Sequence, residues 1–244
     1  MVGHKLKWRL FRARLAFEDP RSRAFDKRHY VETAREEPLG DMGVAADSVE
    51  RGNTFYRVTW GWLIKKAMAR LDIDHQLYSF IDYGSGKGKA TLMASDYPFK
   101  TIIGVEYAQR LHDIAVENCR TYRSADQRCH SLNPILGDAL DYTPPPGPIV
   151  CFMCNPFDET TLRAVFNGWR ARYEGGERDI RIIFINMRNI AESANVLEEQ
   201  DWLAPLARSR RFVVLAPKTK YDVSIGQRPA DAIGSANLKW SAST

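Results

Sequence analysis

A glycine-rich turn carries the densest chemistry in this 244-residue chain. It reads Asp82-Tyr83-Gly84-Ser85-Gly86-Lys87-Gly88-Lys89 directly after a short apolar run. Glycines there permit a tight turn and let a ligand lie against backbone with no side chain between. Three cofactor classes use such turns. A Walker A loop needs Gly, four residues, then Gly-Lys-Ser/Thr; counting from Gly84, the second Gly is due at Lys89, so the pattern fails. A dinucleotide fingerprint needs G-x-G-x-x-G/A, and here the third glycine comes one position early, at Gly88. Glu106 closes the next apolar run, twenty residues after Gly86, where a carboxylate can accept hydrogen bonds from both hydroxyls of a ribose. Asp138 follows the third run in Gly137-Asp138-Ala139 and could accept from an adenine amino group. A lone acid after a strand is more commonly a helix or turn cap. Three such features in chain order, each at a predicted strand end, point to a nucleoside-bearing ligand.

These residues need elements to place them. Trp60, Leu63, Ile64, Ala67, Met68 and Leu71 recur at helical spacing before a short strand at 78–83. A helix over about 88–96, a strand at 101–106 and a helix striped by Leu111, Ile114, Ala115, Cys119 and Tyr122 follow. The alternation continues with strands at 134–136 and 149–153 and a helix striped by Leu162, Val165, Phe166, Trp169 and Tyr173. A strand at 180–187, a last helix within 190–208 and a strand at 212–215 complete it. Strand-helix alternation predicts an α/β, doubly wound, mainly parallel sheet with helices on both faces, because a right-handed crossover needs a helix to return the chain. Ligands then bind at the carboxyl ends of the strands.

The stretches IDYGSGKGKATLMA (81–94), IIGVEYAQRLHDIAVEN (102–118), LGDA (136–139) and CNPF (154–157) resemble the class I S-adenosylmethionine-dependent methyltransferases. The glycine turn with GVE is also similar to the non-SET histone lysine methyltransferases. More narrowly, GSGKGK, PFKTIIGVE and an upstream FDKRHYVETA (25–34) look like a bacterial group of unassigned substrate. The likeness runs from about residue 20 to about residue 190. It implies a Rossmann-like core of seven strands and S-adenosyl-L-methionine as cofactor. Carried onto matching positions, it implies Asp82, Gly84, Ser85, Gly86 and Gly88 for the methionyl end, Glu106 for ribose and Asp138 for adenine. Related enzymes often close over the cofactor at the position of Thr54, Tyr56 and Thr59, so Tyr56 is read either as a wall residue or as a buried tyrosine with one satisfied hydroxyl. In amino-group methyltransferases an Asn-Pro-Pro-Tyr/Phe motif orients the target amine. Here Asn155-Pro156-Phe157 lacks one proline, so Asn155 is read either as an amine-orienting residue or as a plain turn former.

Composition bounds the rest. With 44% hydrophobic and 27% charged residues the chain is of ordinary globular type. The net charge of +5 concentrates in residues 1–30, which hold nine Lys/Arg against three Asp/Glu, and the remainder is close to neutral. Residues 4–17, HKLKWRLFRARLAF, interleave basic and apolar side chains; they suit an anionic membrane surface, nucleic acid or a helix docked on its own domain. No transmembrane segment is expected. Four cysteines in a chain this large suggest a reducing compartment, the cytoplasm. Cys151 and Cys154 read as strand packing, and Lys87 and Lys89 as solvated helix-start residues or attractors of an anionic substrate. The chain divides into a basic segment and lead-in over 1–58 and an S-adenosylmethionine-binding domain over 59–244. The expected activity is methyl transfer to an acceptor, with a protein amino group preferred. The alternatives are a nicotinamide-dependent oxidoreductase and a non-catalytic nucleoside-binding protein.

Overall fold

The computed structural model describes residues 20–38, 55–155, 157–177, 179–186 and 190–218. The basic stretch 4–17, Thr54 and Pro156 lie outside the described residues. Helix α1 (Pro20–His29) leads into a two-stranded antiparallel ribbon of β1 (Glu37–Pro38) and β2 (Phe55–Tyr56). Then come α2 (Gly61–Met68), β3 (Ser79–Tyr83), α3 (Lys89–Ala94), β4 (Thr101–Glu106), α4 (Gln109–Thr121) and β5 (Leu132–Leu136). The chain continues through β6 (Ile149–Cys154), α5 (Glu159–Glu174), β7 (Ile180–Ile185), α6 (Ala194–Glu198), β8 (Leu203–Arg208) and β9 (Phe212–Pro217).

Seven strands form one sheet in the order β5-β4-β3-β6-β7-β9-β8. The first five in that order run parallel, and β9 lies antiparallel to both β7 and β8. The sheet is therefore Rossmann-like and doubly wound, with one antiparallel hairpin at its end. Its inner strands are apolar on both faces because helices cover both, as parallel sheets require. Ile81, Tyr83, Cys151, Met153, Ile182 and Phe184 pack with Leu162, Phe166 and Trp169 of α5. Their alternates Phe80, Val150, Phe152, Ile183 and Ile185 pack with Leu63, Ile64, Ala67 and Met93 of α2 and α3. The two-residue period of a strand thus splits one apolar run between two cores.

One expectation is corrected. The helix expected within 190–208 is only the short α6, and the chain then extends into β8. Strand β8 is an edge strand whose burial does not alternate, with a register irregularity between Pro205 and Ala207. The opposite edge strand, β5, also carries a proline, Pro134.

Candidate functional site

The glycine turn leaves β3 where the β3–β4 register sets Asp82 opposite Gly104 and Tyr83 opposite Val105. The N–H groups of Gly84 and Ser85 both donate to the Val105 carbonyl, at 2.9 and 3.0 Å. Gly86 has φ +55° and Gly88 φ +84°, left-handed values that a Cβ disfavours. Gly104 makes room beneath. A Cβ there would stand 2.9 Å from Thr91 Oγ1 and 3.0 Å from Ser85 Cβ.

Glu106 folds back on the turn. Its Oε2 accepts from Gly86 N at 2.7 Å and its Oε1 from Ala108 N at 2.8 Å. Burial pushes this carboxyl above the usual range, opposed by the backbone N–H groups of Ala108, Gly86 and Tyr107. Asp82 is buried too, its Oδ2 accepting from Thr91 Oγ1 at 3.1 Å. Burial pushes its carboxyl up to about 7; the bonds from Thr91 oppose the rise and the charge of Glu106 adds to it. Ser85 Oγ is buried beside them and has no hydrogen-bond partner among the described residues. Asp138 stands partly exposed after β5, its Oδ1 accepting from Leu140 N at 2.9 Å. That bond is the local turn role common for such an acid.

Tyr56 meets the turn. Its ring lies so close to Gly86 that a Cβ there would be 2.4 Å from Cε2, and its hydroxyl donates to Thr33 O at 2.8 Å. Lys87 and Lys89 are not solvated, which corrects the expectation for both. Lys87, with a fully buried side chain, donates to Glu32 Oε1 at 2.7 Å. Lys89 donates to Ser22 Oγ at 2.7 Å and lies 5.2 Å from the Phe25 ring centroid.

Asn118 of α4 is a contributor that the motifs do not single out. Its Nδ2 donates to Glu32 O at 2.9 Å and Lys87 O at 2.8 Å, while its Oδ1 accepts from Glu32 N at 2.7 Å. The available signal is a carboxamide on the stripe of Leu111, Ala115 and Tyr122, where an apolar residue is the norm. Asp26 is the other. It accepts from Thr33 N (2.7 Å), Thr33 Oγ1 (2.6 Å) and Ala34 N (2.7 Å), fixing the loop after α1.

Beyond the turn, β6 ends at Cys154 opposite Ile185 of β7. Asn155 follows, exposed and left-handed at φ +44°. Burial pushes the Cys154 thiol up to about 12, countered by a hydrogen bond with the Thr59 side chain, so the lead into α2 touches the end of β6. Trp60 and Trp62 stack with centroids 5.9 Å apart, and the Arg211 guanidinium lies 4.9 Å over Trp60. Phe212 pairs with Ile185, so Arg211 also sits at the carboxyl edge of the parallel strands.

Comparison with models of known protein families and with curated proteins found no match. Among solved structures, the chain is similar to a candidate S-adenosyl-L-methionine-dependent methyltransferase from Methanococcus maripaludis (14% identity, TM-score 0.48, 66% of this chain and 85% of that one). It is similar also to precorrin-6y C5,15-methyltransferase from Geobacter metallireducens (13% identity, TM-score 0.47, 66% of this chain and 90% of that one). A third is TrmN from Thermus thermophilus (14% identity, TM-score 0.47, 65% of this chain and 49% of that one), of which the chain spans about half the length.

Proposed function

We propose that the chain is a methyltransferase that takes its methyl group from S-adenosyl-L-methionine. The observation that carries this reading is the pair of buried carboxyls at the glycine turn, Asp82 and Glu106, with the Gly86 N–H given to Glu106. A dinucleotide turn directs such N–H groups at a pyrophosphate; here the Gly86 N–H is taken up by Glu106, and the buried Asp82 beside the turn would repel one. They suit a ligand with cationic groups. The antiparallel β8–β9 hairpin likewise departs from the six-stranded dinucleotide order.

The residues present fit this cofactor. The Glu106 carboxylate takes backbone donors from Gly86, Ala108 and Tyr107, which leaves acceptor capacity for a ribose hydroxyl. The buried Ser85 hydroxyl has hydrogen-bonding capacity to spare. Asp82, ionised, balances the positive methionyl end; Gly84, Gly86 and Gly88 bring backbone to its surface. Asp138 takes the adenine edge, and Tyr56 walls the turn. The bound cofactor supplies a methyl group that is already electrophilic, so the protein's task is alignment and exclusion of water.

The acceptor side is the edge beyond β6. An amino group is the favoured acceptor, oriented by the Asn155 carboxamide at the strand edge where Trp60 and Arg211 also lie. A protein lysine, with an ordinary pKa near 10.4, must shed a proton before it attacks. All four cysteines are free thiols, which supports a reducing compartment, the cytoplasm. Among the described residues no helix is long and apolar enough to cross a membrane.

Calorimetry tests the site. Wild type is expected to bind S-adenosylmethionine and S-adenosylhomocysteine, and Glu106→Ala to lose at least about tenfold in affinity, the scale of one charge-assisted hydrogen bond. Binding by wild type that Glu106→Ala leaves intact removes the ribose assignment. A labelled methyl donor incubated with lysate, counted separately in protein, nucleic-acid and small-molecule fractions, identifies the acceptor class; label in protein is expected.

A further inference from the structure

We propose that residues 26–34 form a clasp that holds the cofactor turn in its receptive shape, and that Asn118 is the positioning residue that closes it. The proposal rests on the cofactor assignment above, and it concerns residues that hold the turn rather than touch the ligand.

A turn with left-handed Gly84, Gly86 and Gly88 has wide conformational freedom. Bonds to β4 fix its first half, through Val105 O and Glu106. Its second half, at Lys87, depends on residue 32, by two separate routes. In one, the Asn118 carboxamide takes up both the N–H and the carbonyl of Glu32, as a neighbouring strand would, and gives its remaining N–H to the Lys87 carbonyl. Asn118 is 2% exposed and spends both donors and its oxygen on these two backbone sites. In the other route, the Glu32 carboxylate accepts from Lys87 Nζ at 2.7 Å. The loop carrying Glu32 is tied down, because Asp26 of α1 accepts from Thr33 and Ala34. A third contact closes the circuit at Gly86, where the Tyr56 ring rests while its hydroxyl holds Thr33 O.

A carboxamide that joins three chain segments with both of its N–H groups bonded stabilises a fold in any protein. The clasp makes a narrower statement: the order of residues 26–34 and the affinity for the ligand are coupled, and by linkage the coupling is reciprocal. Ligand at the turn must then tighten residues 26–34, which reach the turn through Lys87, Asn118 and Tyr56.

The test is amide hydrogen exchange on the full chain with and without S-adenosylhomocysteine, alongside calorimetry, for wild type, Asn118→Ala and the gentler Tyr56→Phe. In wild type, ligand is expected to slow exchange at 26–34 as well as at 84–88. In Asn118→Ala the slowing at 26–34 disappears and the dissociation constant rises about tenfold or more, while the central strand β7 keeps its protection; two to three net hydrogen bonds set that scale. Tyr56→Phe, which removes one bond from the same loop, gives a partial loss of the slowing at 26–34 and serves alone if Asn118→Ala does not fold. Tight binding by wild type with no change at 26–34 overturns the clasp and leaves the cofactor assignment standing, as does Asn118→Ala or Tyr56→Phe that keeps the wild-type response. Absence of binding by wild type overturns the cofactor assignment, and the clasp with it.

Discussion

At Asp82 a buried carboxyl is pushed up to about 7 by desolvation, against an ordinary value near 3.8. Between those values the folded chain holds a proton that the unfolded chain has lost, so this group's contribution is complete below about pH 4 and is lost as pH rises through about 7. A tenfold change in proton affinity between the two states is worth about 1.4 kcal/mol. Asp82→Asn removes the titration, and its unfolding midpoint is expected to fall less than wild type's between about pH 4 and 7; equal slopes in thermal melts would refute the assignment. A cation at the turn favours the ionised form, so S-adenosylmethionine binding should release a proton near neutral pH, read as a buffer-dependent binding heat. Asp82, the glycines and Glu106 are legible in sequence because a backbone turn and a strand end impose a short fixed spacing. Glu32 and Asn118 are not, since they are 86 positions apart and only the fold brings them together. Lys87 shows the same limit: its neighbours suggest a solvated helix start, while its partner Glu32 arrives from 55 positions away.

The elements with strong periodicity are the ones the sequence states well. Strand β4 occupies the expected span, and α5 buries Leu162, Val165, Phe166 and Trp169 as its stripe demands. Strand β8 is hidden because it is an edge strand in which only Leu203 is buried, so no alternation announces it. Helix α5 begins where Asp158 caps it, Oδ1 accepting from Thr161 N at 2.8 Å. Asn-Pro-Phe-Asp (155–158) therefore follows a strand end, carries the candidate acceptor-orienting residue and starts a helix within four positions. Asp158→Ala is expected to cost about 1 kcal/mol, with Asp158→Ser recovering most of it in denaturant titrations. A matching loss of methyl transfer without loss of cofactor binding would tie the cap to Asn155.

For the molecule as a whole, the charge of the first thirty residues separates into two parts. Those in α1 belong to the body: Ser22 and Phe25 lie on Lys89, and His29 Nδ1 is 2.7 Å from Arg123 O. Deleting residues 1–17 is therefore expected to leave the affinity for S-adenosylhomocysteine within about twofold, a change below about 0.5 kcal/mol, while removing any attraction to anionic vesicles or nucleic acid. Deletion through residue 36 should abolish ligand binding in calorimetry. A folded truncation lacking 1–17 that no longer binds would place the leader in the site. The prolines at the two edges of the sheet have a consequence of a different kind. Pro134 and Pro205 each lack the N–H that an added strand would need, and the irregularity after Pro205 bends that edge out of line. Among the described residues, then, an added strand would meet a gap in the donor row at either edge of the sheet, a guard against edge-to-edge pairing.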